Sequence, residues 1–405
     1  MNILDISPLM PYPPVFGGAR GVLGQITSLC ARGHHIHLFC LTEDENPFAL
    51  NELRRTCAVD VVRFRRRPGL RSALASLRQQ APYQLSRFHV PAFLDRMREA
   101  MRRTAFDIIQ AEGIHTASYA HALASEFSIP TVMRIHNLQY LQMSRLGEVD
   151  GNPARKLWLA YETPKVRTYE RDAYAKFTVN LAISGVEREH LCNLSPDAPC
   201  EVIPAGIDPE EFRPRGDVET PNAVLWTGSF GHAPNVDSCR WFCQEIVPRI
   251  LRSNSGVRVR IVGSGTPTCA PGRRDPAAQV IGCVPDIREE LERAQVCVVP
   301  LRAGSGVRVK LLEMLAMGKA IVSTRMGAEG LDVRDGEHLL IADTPEDFGD
   351  AVARLLRDHC LRAHLGGAAR EYIGKNHAWE IIAPRFESAY RSVLDKRGHR
   401  SPPDG

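Results

Sequence analysis

Two α/β domains, each built on a doubly wound parallel sheet, are the architecture this sequence predicts, and three observations lead to it. The chain has 405 residues, more than one core of ordinary size, so two domains of about 200 residues each are expected. Short apolar runs alternate with stretches of helical periodicity in both halves, the pattern of βαβ units. Between the halves, residues 201–221 carry proline, glycine and acidic residues without apolar periodicity, which places a boundary there.

The first strand is Ile3-Leu4-Asp5-Ile6. A loop through Gly17 and Gly18 follows, then Val22, Ile26 and Leu29 at helical spacing, with Gly33 as the stop. His35–Leu41 is a second strand, and the pattern continues through Asp107–Gln110, Thr131–Ile135 and Thr178–Ile183. Ser184 and Glu187 have the spacing of a helix start rather than of chemistry. The second half restarts at Ala223–Gly228 and adds strands at Val257–Val262, Val280-Ile281, Val296–Pro300, Ala320–Ser323 and His338–Ile341. The expected domains are residues 1–205, completed by a last helix at about 379–395, and residues 206–378, with 396–405 a flexible tail. Ligands of such sheets sit at the carboxyl ends of the strands, so a cleft between two of them is where function is expected.

Composition sets limits but names no activity. Hydrophobic residues at 44% and charged residues at 24% describe an ordinary globular chain. No basic region precedes the first strand, and no run approaches the roughly 18 apolar residues of a membrane span. A soluble or peripheral cytoplasmic protein is expected. The 11 cysteines are odd in number and scattered through apolar runs, as suits reduced packing thiols. Cys239 and Cys243, four apart on a predicted helix beside Trp241 and Phe242, read as packing residues rather than metal ligands, and no metal is expected. Net charge is +4, yet Arg63–Arg103 holds eleven arginines against Asp95 and Glu99. That segment fits a solvated helix face as well as it fits an anionic partner, such as lipid headgroups or a diphosphate-bearing acceptor.

The most informative stretch is Pro300-Leu301-Arg302-Ala303-Gly304-Ser305-Gly306-Val307-Arg308-Val309-Lys310-Leu311-Leu312-Glu313. It leaves a buried strand, turns on glycine and enters a helix, which is how backbone N–H groups and a helix dipole come to face an anion. Arg308 and Lys310 add formal charge in the first turns, and a diphosphate suits such a site. Glu313, further along, can accept hydrogen bonds from vicinal ribose hydroxyls. The residues alone equally allow two surface cations and a satisfied helix carboxylate.

This stretch resembles the donor-binding signature of GT-B glycosyltransferases of family 4, in which two glutamates eight positions apart flank a glycine turn. The resemblance extends over nearly the whole chain. Val202–Asp208 looks like the family's hinge motif, with Ala205 where Asn is usual. Ile281–Ile287 is similar to the loop whose backbone faces the nucleobase, which makes Val284 a donor contact. Gly17-Gly18 looks like the glycine loop near the donor phosphates and acceptor, and His136 matches the active-site histidine at a strand end. The resemblance likewise points to donor contacts at Gly228, Ser305, Gly306, Val307, Val309 and Glu313 and to a reactive role for His136, while Arg308 and Lys310 are expected to be reactive through their own charge. It implies transfer of a sugar from a nucleoside-diphosphate sugar to a hydroxyl of a glycan or lipid-linked acceptor. Retained stereochemistry, no metal and no cofactor are implied too, along with a place in surface polysaccharide or glycolipid synthesis. No Asp-x-Asp lies between apolar strands to hold Mg²⁺ on a diphosphate. Nucleic acid is not an expected partner; an anionic membrane surface, through Arg63–Arg103, is.

The sequence departs from the family pattern at two places. Ser305 replaces the first glutamate, and Gly228-Ser229 and Pro234-Asn235 replace the Gly-Arg and Lys-Gly pairs that bring cations to the diphosphate. Arg308 and Lys310 are expected to take over that duty, in a subgroup with a Gly-Ser-Gly turn. A nucleotide-sugar epimerase on the same scaffold and a degenerate nucleotide-sugar-binding protein remain as other readings. A dehydrogenase is disfavoured, since Gly17-Gly18-Ala19-Arg20-Gly21 is not G-x-G-x-x-G.

Overall fold

The computed structural model describes residues 1–14, 17–44, 46–64, 82–216, 219–265 and 278–398. Five arginines of the arginine-rich segment, Arg65, Arg66, Arg67, Arg71 and Arg78, and the 401–405 tail lie outside the described residues. The chain forms two compact units: Met1–Ser144 with Asn152–Ala205 and the chain from Trp379 onward, and Gly206–Ala378 with Arg145–Gly151.

The first unit holds a parallel sheet in the order β3-β2-β1-β4-β5-β6-β7. Its strands are β1 (Asn2–Ser7), β2 (His35–Thr42), β3 (Ala58–Arg63), β4 (Ile108–Glu112), β5 (Thr131–Ile135), β6 (Val179–Ala182) and β7 (Cys200–Val202). The edge strands β3 and β7 are additions to the sequence reading. One is half-exposed with Asp60 in its middle, and the other is three residues long, so neither has an apolar run to betray it. Side chains alternate across the sheet. Leu4, Ile6, Ile109, Ala111, Met133 and Ile135 face a core shared with Phe93, Met97, Tyr119 and Leu123. Ile3, Ile108 and Val132 face Val22, Ile26, Ile382, Phe386 and Tyr390, from the helices Gly17–Ala31 and Trp379–Gly398. The last helix therefore closes one face of the first sheet. Ser184 caps the helix Gly185–Leu194, accepting from the N–H groups of Val186 and Glu187, as its spacing predicts.

The second unit holds a parallel sheet in the order β10-β9-β8-β11-β12-β13. Its strands are β8 (Ala223–Thr227), β9 (Arg258–Val262), β10 (Ala278–Gly282), β11 (Val296–Val299), β12 (Ala320–Ser323) and β13 (Leu340–Ile341). Trp226, fully buried, anchors its core with Val224, Val298, Phe242 and Phe348. Cys239 packs in this core, with Cys243 against it. The proline-rich hinge segment rejoins the unit where Ile207 N–H donates to the His377 carbonyl at 2.8 Å.

Both sheets reverse their strand order once, between β1 and β4 and between β8 and β11. Such a switch point separates the loops at the carboxyl ends of the two strands and opens a crevice for a ligand.

Candidate active site

At the switch point of the second sheet, β8 ends in Thr227-Gly228-Ser229 and β11 leads into Gly304–Glu313. Both loops depend on glycine. Gly304 (φ 147°) and Gly306 (φ 80°) adopt backbone conformations that side chains disfavour. A Cβ on Gly228 would lie 2.7 Å from the Trp226 ring, and one on Gly263 would overlap the Gly228 carbonyl oxygen. The β8 and β9 loops thus touch through bare backbone.

The cations of the predicted stretch turn inward. Lys310, on the helix Val309–Ala316, donates to the Thr227 carbonyl at 2.7 Å and to Asn235 Oδ1 at 3.3 Å, with its ammonium 5.1 Å from the Trp226 ring centroid. Asn235 in turn donates to the Ser229 carbonyl at 3.1 Å, so one lysine ties the two loops together. The Arg308 guanidinium folds over Gly304 and donates to the carbonyls of Gly306 and Met326, the latter at 2.9 Å, with Glu329 3.9 Å away. Desolvation, then the charge of Arg308, lowers the Lys310 pKa to about 7. His232, just before the helix Ala233–Trp241, is lowered to about 4 by desolvation and then by Lys310 and Arg308. Basic groups that suppress one another's protonation form a site that an anion would relieve.

Ser305, Gly306, Val307 and Val309 belong to the same turn and helix start, and Glu313 is buried one turn on, near enough to Lys310 to favour its charge. Val284 follows β10, after Gly282 (φ 87°), whose carbonyl accepts from Gly263 N–H at 2.9 Å. It therefore sits at the outer side of the sheet rather than at the switch point. Arg302, which the sequence reading passed over, is held by Asp237 through two bonds of 2.6 and 3.0 Å.

In the first unit, Gly17 and Gly18 open the helix after β1, and Gly18 is exposed. His136 follows β5 and is held by a residue the sequence reading missed. Its Nε2 lies 2.6 Å from Glu112 Oε2, at the end of β4. The Glu112 side chain is 1% exposed against 24% for His136, so the histidine is the accessible member. Behind Glu112 stand Gln25, Gln110, Asp5 and Arg134, all buried. The only signal for this group in the sequence is a set of polar residues on one parity of three apolar strands.

Of the described arginines in Arg63–Arg103, several are engaged on the helix Pro91–Arg103 or with its neighbour. Arg98 bonds Glu126 at 2.7 Å and Asp95 at 3.3 Å, and Arg103 bonds Glu99 at 2.5 Å. Among the described residues, no helix is long and apolar enough to cross a membrane, and no group of histidine, cysteine and carboxylate side chains could hold a metal ion.

Two parallel-sheet α/β units, one with seven strands and one with six, form a GT-B fold. Residues 16–211 match the family described as Glycosyltransferase Family 4, and residues 221–358 match Glycosyl transferases group 1. The chain belongs to this family and is a glycosyltransferase enzyme. It is 21% identical over 396 residues, 93% of this chain and 96% of the relative, to an uncharacterized 44.6 kDa protein in the cps region of Klebsiella pneumoniae. It is 25% identical over 244 residues to a phosphatidyl-myo-inositol mannosyltransferase of Mycobacterium tuberculosis, across 55% of this chain and 62% of that one. Similar solved structures include sucrose-phosphate synthase from Thermosynechococcus elongatus, with TM-score 0.74, 17% identity and coverage of 98% and 100% of the two chains. HepE of Anabaena in complex with UDP has TM-score 0.69, 12% identity and coverage of 97% and 100%.

Proposed function

We propose that this glycosyltransferase moves a sugar from a nucleoside-diphosphate sugar to an acceptor hydroxyl, with retention and without a metal ion, in the synthesis of a surface polysaccharide or glycolipid. The observation that carries this reading is the basic cluster of Lys310, Arg308 and His232 around the glycine turn at the second sheet's switch point. The UDP bound to HepE, a protein of the same fold, supports a nucleotide as occupant. Backbone N–H groups of the Gly304–Val307 turn and the helix start would hold the diphosphate, and Lys310 would meet the charge that develops on the leaving group. Arg308, fixed by two carbonyls, would supply charge without moving. Glu313 would take the ribose hydroxyls. Ser305, where a glutamate is usual, leaves the sugar's far hydroxyls without a carboxylate and marks a Gly-Ser-Gly subgroup. His136 and the Gly17-Gly18 loop would serve the sugar and acceptor.

A screen of nucleotide sugars by mass spectrometry tests the reading. One donor should be consumed and transferred, or slowly hydrolysed, and Glu313→Ala should lower its affinity by about 10-fold or more, the loss of a charge-assisted hydrogen-bond pair. Consumption of no donor, together with no nucleotide binding, would sink the proposal. The anomeric configuration of the product, read by NMR, decides retention, and activity in the presence of EDTA decides metal independence.

The protein would work at the cytoplasmic face of a membrane when its acceptor is lipid-linked. Supporting this, the helix Pro153–Tyr174 exposes Leu157 (75%) and Tyr161 (40%) beside Arg155 and Lys156. Binding to anionic vesicles should weaken with salt and with Leu157→Ser; salt-independent binding would contradict an electrostatic dock.

A further inference from the structure

Five polar residues lie on one parity of three neighbouring strands: Asp5 on β1, Gln110 and Glu112 on β4, Arg134 on β5 and His136 just beyond it. Register pairs Asp5 with Gln110 and Glu112 with Arg134. All five point toward the helices Gly17–Ala31 and Trp379–Gly398, from which Gln25 and Tyr390 reach in. The group is buried except for His136.

Its hydrogen bonds fix its charges. Glu112 Oε1 receives the amide N–H groups of Gln25 at 3.1 Å and Gln110 at 2.5 Å, while Oε2 faces His136 Nε2 at 2.6 Å. The Gln110 carbonyl oxygen is taken by the Tyr390 hydroxyl, which fixes the direction of its amide. Asp5 has neither oxygen partnered among the described residues. Burial, and then the neighbouring Glu112, push its pKa well up. Of the two acids, Glu112 is the one that collects donors. Arg134, whose guanidinium gives its N–H groups to the carbonyls of Ile203 at 2.6 Å and Pro204 at 3.1 Å, adds a favourable field.

From this arrangement we infer that Glu112 is a positioning residue that fixes the tautomer of His136, so that the imidazole presents Nδ1 as a hydrogen-bond acceptor to a hydroxyl of the bound sugar or acceptor. An ionised carboxylate only accepts, so the proton of the neutral ring sits on Nε2 and the lone pair on Nδ1. Nδ1 has no hydrogen-bond partner among the described residues, and it belongs to the one side chain of the group open to solvent. The selected partner is a donating hydroxyl, not a carbonyl or a phosphate oxygen. The inference rests on the sugar-transfer reading only for the identity of that hydroxyl; the tautomer follows from the first unit alone.

Replacing one atom reverses the polarity. In Glu112→Gln, the amides of Gln25 and Gln110 still require an oxygen at Oε1, so the new NH2 must take the place of Oε2. It then donates to His136 Nε2, which becomes the acceptor, and Nδ1 must carry the proton. The exposed nitrogen turns from acceptor to donor with almost no change of volume.

The test is long-range ¹H–¹⁵N NMR of histidine-labelled full-length protein at about pH 8, with the His136 signals assigned by their loss in His136→Gln. The expected result is the Nε2–H tautomer in the wild type and the Nδ1–H tautomer in Glu112→Gln. Turnover of the screened donor should fall by about 100-fold in the variant, with the donor KM changed less than about 3-fold, as when a histidine's orienting carboxylate is neutralised. An Nδ1–H tautomer in the wild type overturns the inference, and that measurement does not depend on Glu112→Gln folding. A swapped tautomer with unchanged turnover overturns it too, because Nδ1 then contributes nothing to the reaction. Failure to turn over any donor would leave the NMR result standing and would count against the sugar-transfer reading instead.

Discussion

At Lys310 an ammonium sits among a tryptophan ring, a carbonyl and an asparagine, with a guanidinium nearby, and its pKa drops from 10.5 to about 7. The charged form is disfavoured in the folded chain, so between pH 7 and 10.5 the unfolded chain binds more protons, and stability from this group rises with pH across that window. A diphosphate reverses the local field and raises the pKa again. At pH 8, nucleotide binding should therefore take up close to one proton, measured by calorimetry in buffers of different ionisation enthalpy. Lys310→Met should abolish the uptake; uptake that persists in the variant assigns it elsewhere. Lys310 and Arg308 stood out in the sequence because cations beside a glycine turn form a local pattern. Glu112 and Asp5 did not, since a carboxylate inside an apolar strand has no local pattern, and only the pairing of β1, β4 and β5 reveals its company.

Among elements, the helices Gly17–Ala31 and Trp379–Gly398 pack on one face of the first sheet, and polar contacts lock them at their edge. Arg32 bonds Glu387 at 2.8 and 3.0 Å, and His34 reaches the same carboxylate at 3.1 Å. The bond from Arg32, helped by His34, holds the Glu387 pKa at about 2 against an ordinary 4.5. A depressed carboxylate gives its stabilisation in full above its unfolded pKa and loses it as pH falls from about 4.5 to about 2. Glu387→Gln should flatten that part of the acid limb when thermal midpoints are compared across pH. An unchanged limb would show that other carboxylates govern it. The sequence was most legible at this scale, because β1, β2, β5, β8 and β12 are central strands buried on both faces and read as apolar runs. Strands β3 and β7 escaped because edge strands carry polar residues and little length.

For the whole molecule, three apolar clusters share no residues, one in the second unit around Trp226 and Phe348 and two in the first unit around Phe39 and Phe386. A fragment of residues 206–378 should consequently unfold cooperatively in urea and retain nucleotide binding, since the Gly228 and Gly304–Glu313 loops lie within it. A fragment that shows no cooperative transition would mean that this core depends on the rest of the chain. The assignment of Arg145–Gly151 to the second unit is not legible in the sequence, because the change of unit falls inside one continuous helix, Gln139–Val149.

The bond from Tyr390 to Gln110 also sets a schedule for biosynthesis. Translation delivers β1 and β4 early, and domains tend to fold in the order they emerge. Yet the Gln110 amide that bonds Glu112 is fixed by Tyr390, and the apolar face beside it gains its last helix, only when residues 382–393 arrive. Until then the helix Gly17–Ala31 covers that face alone, and the Gln110 amide beside Glu112 lacks the hydroxyl that orients it.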